Sequence, residues 1–351
     1  MKPNQSFDVD TLEPRKYFAA TLIPGLTYET SIRTPGAAKN YSVTLEAGQN
    51  LMVVASDRNA DANFTPSLRV IGPNNRTVRK SVSDAAFVSI NATVAGTYRV
   101  RVQDDGRDAR GSIKLTGFFH APSITDSDDA QVAASGRRFA ATMEPGDLDV
   151  WTINYTRGQF LSVLATENTA GDPLNIGMQL IDSSGRVIAG GDDAEGVKTD
   201  LTKNQRRIRS GVFYAVVYKG VSGASGNALV SGRYGLSIAQ APGAQYAGDP
   251  DTATPLVAGE TRNGDLPDGD MDVWGINLQA GDTFSATLSR ATEALNPELL
   301  LVSPTGVPLV LKNGATTTTL TYQVPTAGQY WLIGRDREGD TGGRFNIRYT
   351  V

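Results

Sequence analysis

Short runs in which apolar and polar side chains alternate, broken by glycine, proline or asparagine, fill most of this chain. In Asp272-Val273-Trp274-Gly275-Ile276-Asn277-Leu278, the side chains of Trp274, Ile276 and Leu278 share one face and those of Val273, Gly275 and Asn277 the other. A period of two predicts a half-buried β-strand. Ala280-Gly281-Asp282 then predicts a tight reversal, and Phe284-Ser285-Ala286-Thr287-Leu288 the returning strand. Long amphipathic helical patterns are scarce, whereas Gly, Pro, Thr, Ser and Val are plentiful, so the chain reads as all-β.

The same landmarks occur three times in the same order. Tyr41 is followed seven residues later by Gly48, Trp151 by Gly158 and Trp274 by Gly281. A Gly-x-aromatic step follows each (Gly96 to Tyr98, Gly211 to Phe213, Gly328 to Tyr330), and Gly111, Gly232 or Gly343 opens a last alternating run. Self-similarity at fixed spacing means one folding unit copied, here into three antiparallel β-sandwiches in tandem. Proline- and glycine-marked linkers at His120-Ala121-Pro122-Ser123 and Ala241-Pro242-Gly243-Ala244 place the units at residues 1–121, 122–243 and 244–351. Residues 1–16 form an N-terminal arm outside the repeat. Phe18-Ala19-Ala20-Thr21-Leu22-Ile23-Pro24-Gly25 matches Phe139-Ala140-Ala141-Thr142-Met143-Glu144-Pro145-Gly146 in six of eight places, yet lies eleven residues further from its aromatic, which predicts an insertion within 26–36. Copy two gains a glycine- and serine-rich loop through Lys219-Gly220-Val221-Ser222-Gly223-Ala224-Ser225-Gly226-Asn227.

Charge adds a direction to this picture. Net charge is −4 overall, but residues 1–121 carry +4 (fifteen basic against eleven acidic), residues 122–243 carry −2 (eleven against thirteen) and residues 244–351 carry −6 (seven against thirteen). That gradient suits head-to-tail self-association better than nucleic-acid binding, for which +4 over one sandwich is too little. Arg99 and Arg101 alternate with valines on one strand face, and Arg206-Arg207-Ile208-Arg209 adds a second basic stretch; both read as solvated faces. No apolar run is long enough for a transmembrane helix.

Nucleophilic catalysis has little to work with. Cysteine is absent and the single histidine, His120, falls in a linker. The expectation is therefore no enzyme. Oxygen-rich loops suit calcium, and Asp265, Asp268, Asp270 and Asp272 form the best group, with Asp147 and Asp149 as counterparts in copy two but Ala37 and Lys39 in copy one. The clusters Asp104/Asp105/Asp108, Asp192/Asp193/Glu195 and Asp336/Glu338/Asp340 read as solubilising loop charge. Tyr41, Trp151 and Trp274 belong to cores; Tyr214 and Trp331, each beside a core aromatic, must point away from it and are the candidate ligand-stacking residues, with Tyr246.

The ordered set Asp-Val-Trp, Ala-Gly-Gln or Ala-Gly-Asp, Pro then a Ser/Pro-x-Gly turn, Ala-Gly-x-Tyr, and a closing Gly-Arg-Phe/Tyr strand resembles the bacterial pre-peptidase C-terminal domain, in three copies. The resemblance covers most of the chain and is strongest over residues 127–351. It implies a jelly-roll-like sandwich, a setting among exported bacterial proteins, and relatives that bind calcium and collagen. Since no enzyme accompanies the modules, the chain reads as a non-catalytic extracellular or cell-surface structural or adhesive protein that self-associates. The alternative is a calcium-assisted binder of collagen-like protein or polysaccharide.

Overall fold

The computed structural model describes residues 19–59, 63–83, 85–119, 132–167, 174–192, 196–201, 208–219, 231–243, 255–292, 295–339 and 341–351. The arm at 1–16, His120, the copy-two loop insertion, Arg206, Arg207, Asp193, Glu195, Tyr246 and Asp340 lie outside them. Every regular element among the described residues is a β-strand.

The first unit holds β1 (Ala20–Thr21), β2 (Thr27–Ile32), β3 (Ala38–Leu45), β4 (Asn50–Asp57), β5 (Pro66–Ile71), β6 (Thr77–Val82), β7 (Ala85–Asn91), β8 (Gly96–Asp104) and β9 (Gly111–Phe118). The second holds β10 (Arg137–Met143), β11 (Leu148–Tyr155), β12 (Phe160–Glu167), β13 (Ile176–Ile181), β14 (Val187–Asp192), β15 (Gly196–Leu201), β16 (Gly211–Lys219) and β17 (Gly232–Ala241). The third holds β18 (Thr261–Leu266), β19 (Met271–Leu278), β20 (Thr283–Arg290), β21 (Pro297–Val302), β22 (Pro308–Asn313), β23 (Thr317–Gln323), β24 (Gly328–Asp336) and β25 (Gly343–Thr350).

Leaving aside β1, which pairs parallel with β3, each unit has eight strands. Counted within a unit, they form one sheet in the order 1-8-3-6 (β2-β9-β4-β7, β10-β17-β12-β15, β18-β25-β20-β23) and a second in the order 2-7-4-5 (β3-β8-β5-β6, β11-β16-β13-β14, β19-β24-β21-β22). All these pairings are antiparallel. Two interleaved sheets of this order are a jelly roll. Tyr41, Trp151 and Trp274 each sit in the second strand of their unit and are buried in its own core, as their strand pattern predicts. Trp151 Nε1 donates to the Tyr234 hydroxyl at 2.7 Å, which satisfies the one polar atom that burial would otherwise strand.

The predicted insertion at 26–36 is not there. Gly25, Gly136 and Gly259 donate their N–H to the carbonyls of Gly117, Ile238 and Tyr349, each at the same register of its unit's last strand. Gly25 therefore corresponds to Gly136, not to Gly146, and the true counterparts of Gly146 and Gly269 are Gly36. Copy one differs by a single extra residue. The misreading arose because both reversals are Pro-Gly pairs whose glycines have positive φ (75° and 77° at Gly25 and Gly36).

The three sandwiches are stacked face to face. Between the first and second units, Met52, Val54 and Phe118 pack on Leu148, Val150, Ile181, Val216 and Tyr218. Between the second and third, Phe160, Leu164, Ala239 and Ala241 pack on Met271, Val273, Leu300, Val302, Trp331 and Ile333. In both joints the 1-8-3-6 sheet of one unit meets the 2-7-4-5 sheet of the next, so many outward-facing positions of these inner strands are apolar as well as the inward ones.

Candidate functional site

The features that recur in copies two and three but not in copy one converge on the joints. Asp147 accepts hydrogen bonds from its neighbour Leu148 N (2.9 Å), from Thr27 Oγ1 (3.2 Å) and Thr116 Oγ1 (3.3 Å) of the first unit, and from Lys114 Nζ (3.2 Å). Its counterpart Asp270 accepts from Met271 N (2.8 Å) and Ser237 Oγ (3.4 Å) of the second unit. Thr116 and Ser237 occupy the same register of β9 and β17, so one carboxylate latch is used twice. Lys114 also reaches Glu144 at 2.6 Å. Burial lowers its ammonium, but Glu144 and Asp147 outweigh that and raise it above the ordinary lysine value.

Glycines complete the fit. A Cβ at Gly146 would collide with the Ser56 hydroxyl, and one at Gly269 with the Thr166 hydroxyl, again at the same register in β4 and β12. At Gly36, their counterpart in copy one, the nearest atom is 3.8 Å away, and a Cβ at Gly306 would meet the backbone carbonyl of Gly158. Copy one carries Ala37 in place of the latch and Asn75 in place of Gly185 and Gly306.

A third register shows the joints' chemistry. Tyr218 of β16 stacks on Phe87 of the first unit, with ring centres 4.3 Å apart and planes 7° from parallel. The equivalent residue of β24 is Arg335, 1% exposed, which donates to Glu298 (2.6 Å) and, across the joint, to Ser162 (2.7 Å) and to both carboxylate oxygens of Asp200 (3.0 and 2.9 Å). Lys198 joins through Glu298 at 3.2 Å. Burial raises the Asp200 carboxyl, but hydrogen bonds and charge from Arg335, with help from Ser162 and Lys198, hold it below the usual aspartate range. Arg335 shifts up for the same reason, against the burial that lowers it.

The predicted ligand residues are used in these joints. Trp331 points away from its own core, as expected, but is 4% exposed because the second unit covers it. Tyr214 meets the edge of Phe118 across the first joint, ring centres 5.6 Å apart. Of the proposed calcium group, Asp265 is on β18, Asp268 in the turn before Gly269, Asp270 in the latch and Asp272 buried on β19. Among the described residues no three His, Cys, Asp or Glu side chains come together to hold a metal, so these four aspartates are not gathered into one site. Two of the other acidic clusters have an organising member: Asp104 accepts from the backbone of Thr65, Asp108 and Ala109, and Asp336 from Asn296, Glu338 and Gly339. Sequence pattern alone had cast both as solvated charge.

The two faces that meet no other unit among the described residues have different surfaces. On the third unit, the registers of Met52, Val54, Phe87 and Phe118 carry Ser285, Thr287, Thr319 and Thr350, and Thr287 and Thr319 hydrogen-bond each other at 2.9 Å. On the first unit, the registers of Val216/Ile333, Tyr214/Trp331 and Val150/Val273 carry Arg101, Arg99 and Asn40. Lys80 pairs with Arg69, Arg69 with Arg101, and Arg101 with Asn40, so three cations stand side by side on neighbouring strands. A groove of about 420 Å³ lined by Ser31, Ile32, Arg33, Arg110, Gly111 and Ser112 lies wide open to solvent.

No family model matches the chain, and no curated protein matches it. Among solved structures, the complex of the plant peptide RALF23 with FER and LLG2 shares 10% identity over 60% of this chain and 82% of the other, at a TM-score of 0.19. Tripeptidyl peptidase 2 shares 10% identity over 90% of this chain, which spans only 34% of that protein, at 0.21. Neither likeness is close enough to bear on fold or function.

Proposed function

We propose that this chain is a non-catalytic structural or adhesive protein of the cell surface or extracellular space, in which three jelly rolls act as one stiff spacer. The observation that carries the reading is that both joints are packed and bonded by the same repeated contacts while the end faces are polar. The resemblance to pre-peptidase C-terminal modules supports placement outside the cell.

Head-to-tail stacking of whole chains is not part of this proposal, because the residues that seal the internal joints are replaced by Arg69, Arg99, Arg101 and Thr287 on the end faces. The calcium-assisted alternative lacks support of its own, since Asp270 is engaged with Ser237.

Small-angle scattering at low and high salt tests the stiff spacer: the expected profile is one elongated particle with the same dimensions in both. Profiles of three independently moving beads would overturn it. Surface location is checked by protease treatment of intact cells, and a chain fully protected until lysis would refute that part.

A further inference from the structure

In copies two and three the 2-7-4-5 sheet is a docking face with an occupant, and among the described residues the first unit's instance of that face meets no other unit. What differs is its charge. The row Lys80, Arg69, Arg101 lies on three adjacent strands, a spacing of about 4.8 Å per step. Like charges directly opposite one another destabilise a sheet, and the equivalent row in copy three is Leu311, Leu300 and Ile333. Lys80 has a carboxylate, Asp105 at 2.9 Å. Among the described residues neither Arg69 nor Arg101 has an ion-pair partner, and the Nε–H of each is buried without a hydrogen-bond acceptor. Burial, and then Arg107, Arg69 and Arg99, push the Arg101 guanidinium below its ordinary value. This face carries a row of cations where copy three has three apolar side chains and copy two has Gly190, Gln179 and Val216.

We propose that the open sheet of the first unit binds an acidic polysaccharide, whose carboxylate or sulfate groups are taken by the Lys80–Arg69–Arg101 row. Arginine forks hold such anions through paired charge-assisted hydrogen bonds. A pyranose unit in an extended chain advances by close to one strand spacing, so successive charged sugars meet successive strands. Asn40 and Ser42, beside the row, offer the amide and hydroxyl groups that sugar hydroxyls need. Nucleic acid fits less well. Single strands are held on aromatic platforms, and the outward positions of β3, β5 and β8 carry no aromatic side chain. A partner like the one at the first joint would bring apolar and aromatic side chains, which three cations in a row do not complement.

The inference rests on the scaffold reading by giving the spacer something to hold, and it fails separately, since stiffness is read by scattering. The test is binding of the whole chain to alginate, which is carboxylated, and to heparin, which is also sulfated, at matched salt. The expected result is salt-sensitive binding to at least one, weakened at least tenfold by Arg101→Val and lost in Arg69→Leu/Arg101→Val. Those substitutions install residues found in the sister copies, so the melting temperature should not fall. Should the double variant fail to fold, Arg69→Gln/Arg101→Gln is read instead. The control Arg344→Gln/Arg348→Gln, on the opposite end face, should stay within twofold of the parent. No binding to either polymer, equal loss in the control, or duplex DNA or polyglutamate bound as tightly as the polysaccharide would overturn the proposal.

Discussion

At the first joint Tyr218 lies flat on Phe87, with Phe118 and Tyr214 edge to face beside them, and the charged contacts of Lys114 sit to one side. At the second joint the same register is filled by Arg335, clamped between Glu298 and Asp200. The backbone geometry is shared, down to the aspartate latch and the glycine that approaches Ser56 or Thr166. The side chains filling it are not. The comparison teaches that docking here is specified by backbone approach and the latch, while the central contact is free to be aromatic or ionic, with different consequences for stability.

Those consequences can be measured. Aromatic burial is tolerant of its surroundings, but a buried ion pair leaves a stranded charge when one partner is removed. Arg335→Ala should therefore have the largest effect, about 3 kcal/mol in denaturant unfolding, at the low end of the range for broken buried pairs. It falls there because Lys198 still neutralises Glu298 and the Asp200 side chain is 31% exposed. A loss under about 0.5 kcal/mol, the size of a surface pair, would show that the second joint is held by its apolar contacts alone.

Gly306→Asn isolates backbone approach from backbone strain. Asn75, its counterpart in copy one, adopts the same positive φ, 64° against 79°, so the conformation is within reach of asparagine. What asparagine cannot avoid is the Cβ contact with the Gly158 carbonyl across the joint. The expected cost is about 1–3 kcal/mol, typical of overpacking, with scattering showing the third unit loosened from the second. An unchanged unfolding curve and particle shape would mean the joint has slack at this turn.

The triplication was legible because an aromatic in the second strand and a glycine in the following turn are requirements within each unit: Trp151 fills the core and Gly158 reverses the chain whatever lies outside. The jelly-roll order came only through the family resemblance, since alternation does not say which strands pair. The start of copy one was misread because Gly25 and Gly36 are locally alike, and what separates them is the carbonyl of Gly117, distant in sequence. Trp331 and Tyr214 were correctly seen to point away from their cores, but a single unit's pattern cannot show that a neighbour covers them. Asp147 and Asp270 set against Ala37 were the sequence's own trace of the joints. Both aspartates bond across a joint to the unit before.

The smallest expected effect is that of pH, and it separates the joints by sign. Asp200 has a depressed pKa in the folded chain, so its contribution is present above the unfolded aspartate value of 3.8 and is lost as pH falls through the folded value. Lys114 is raised, so its contribution is complete below the unfolded lysine value of 10.5 and is lost as pH rises through the folded one. Acid should thus loosen the second joint and strong alkali the first. Trp331 reports on the second joint, whereas Trp151 and Trp274 lie in cores. The emission of the parent minus that of Trp331→Phe should shift red below pH 3.8 before the cores unfold, and that early shift should vanish in Asp200→Asn. If it persists in Asp200→Asn, another group governs the acid response. If the core tryptophans move first, the second joint is not the acid-labile element.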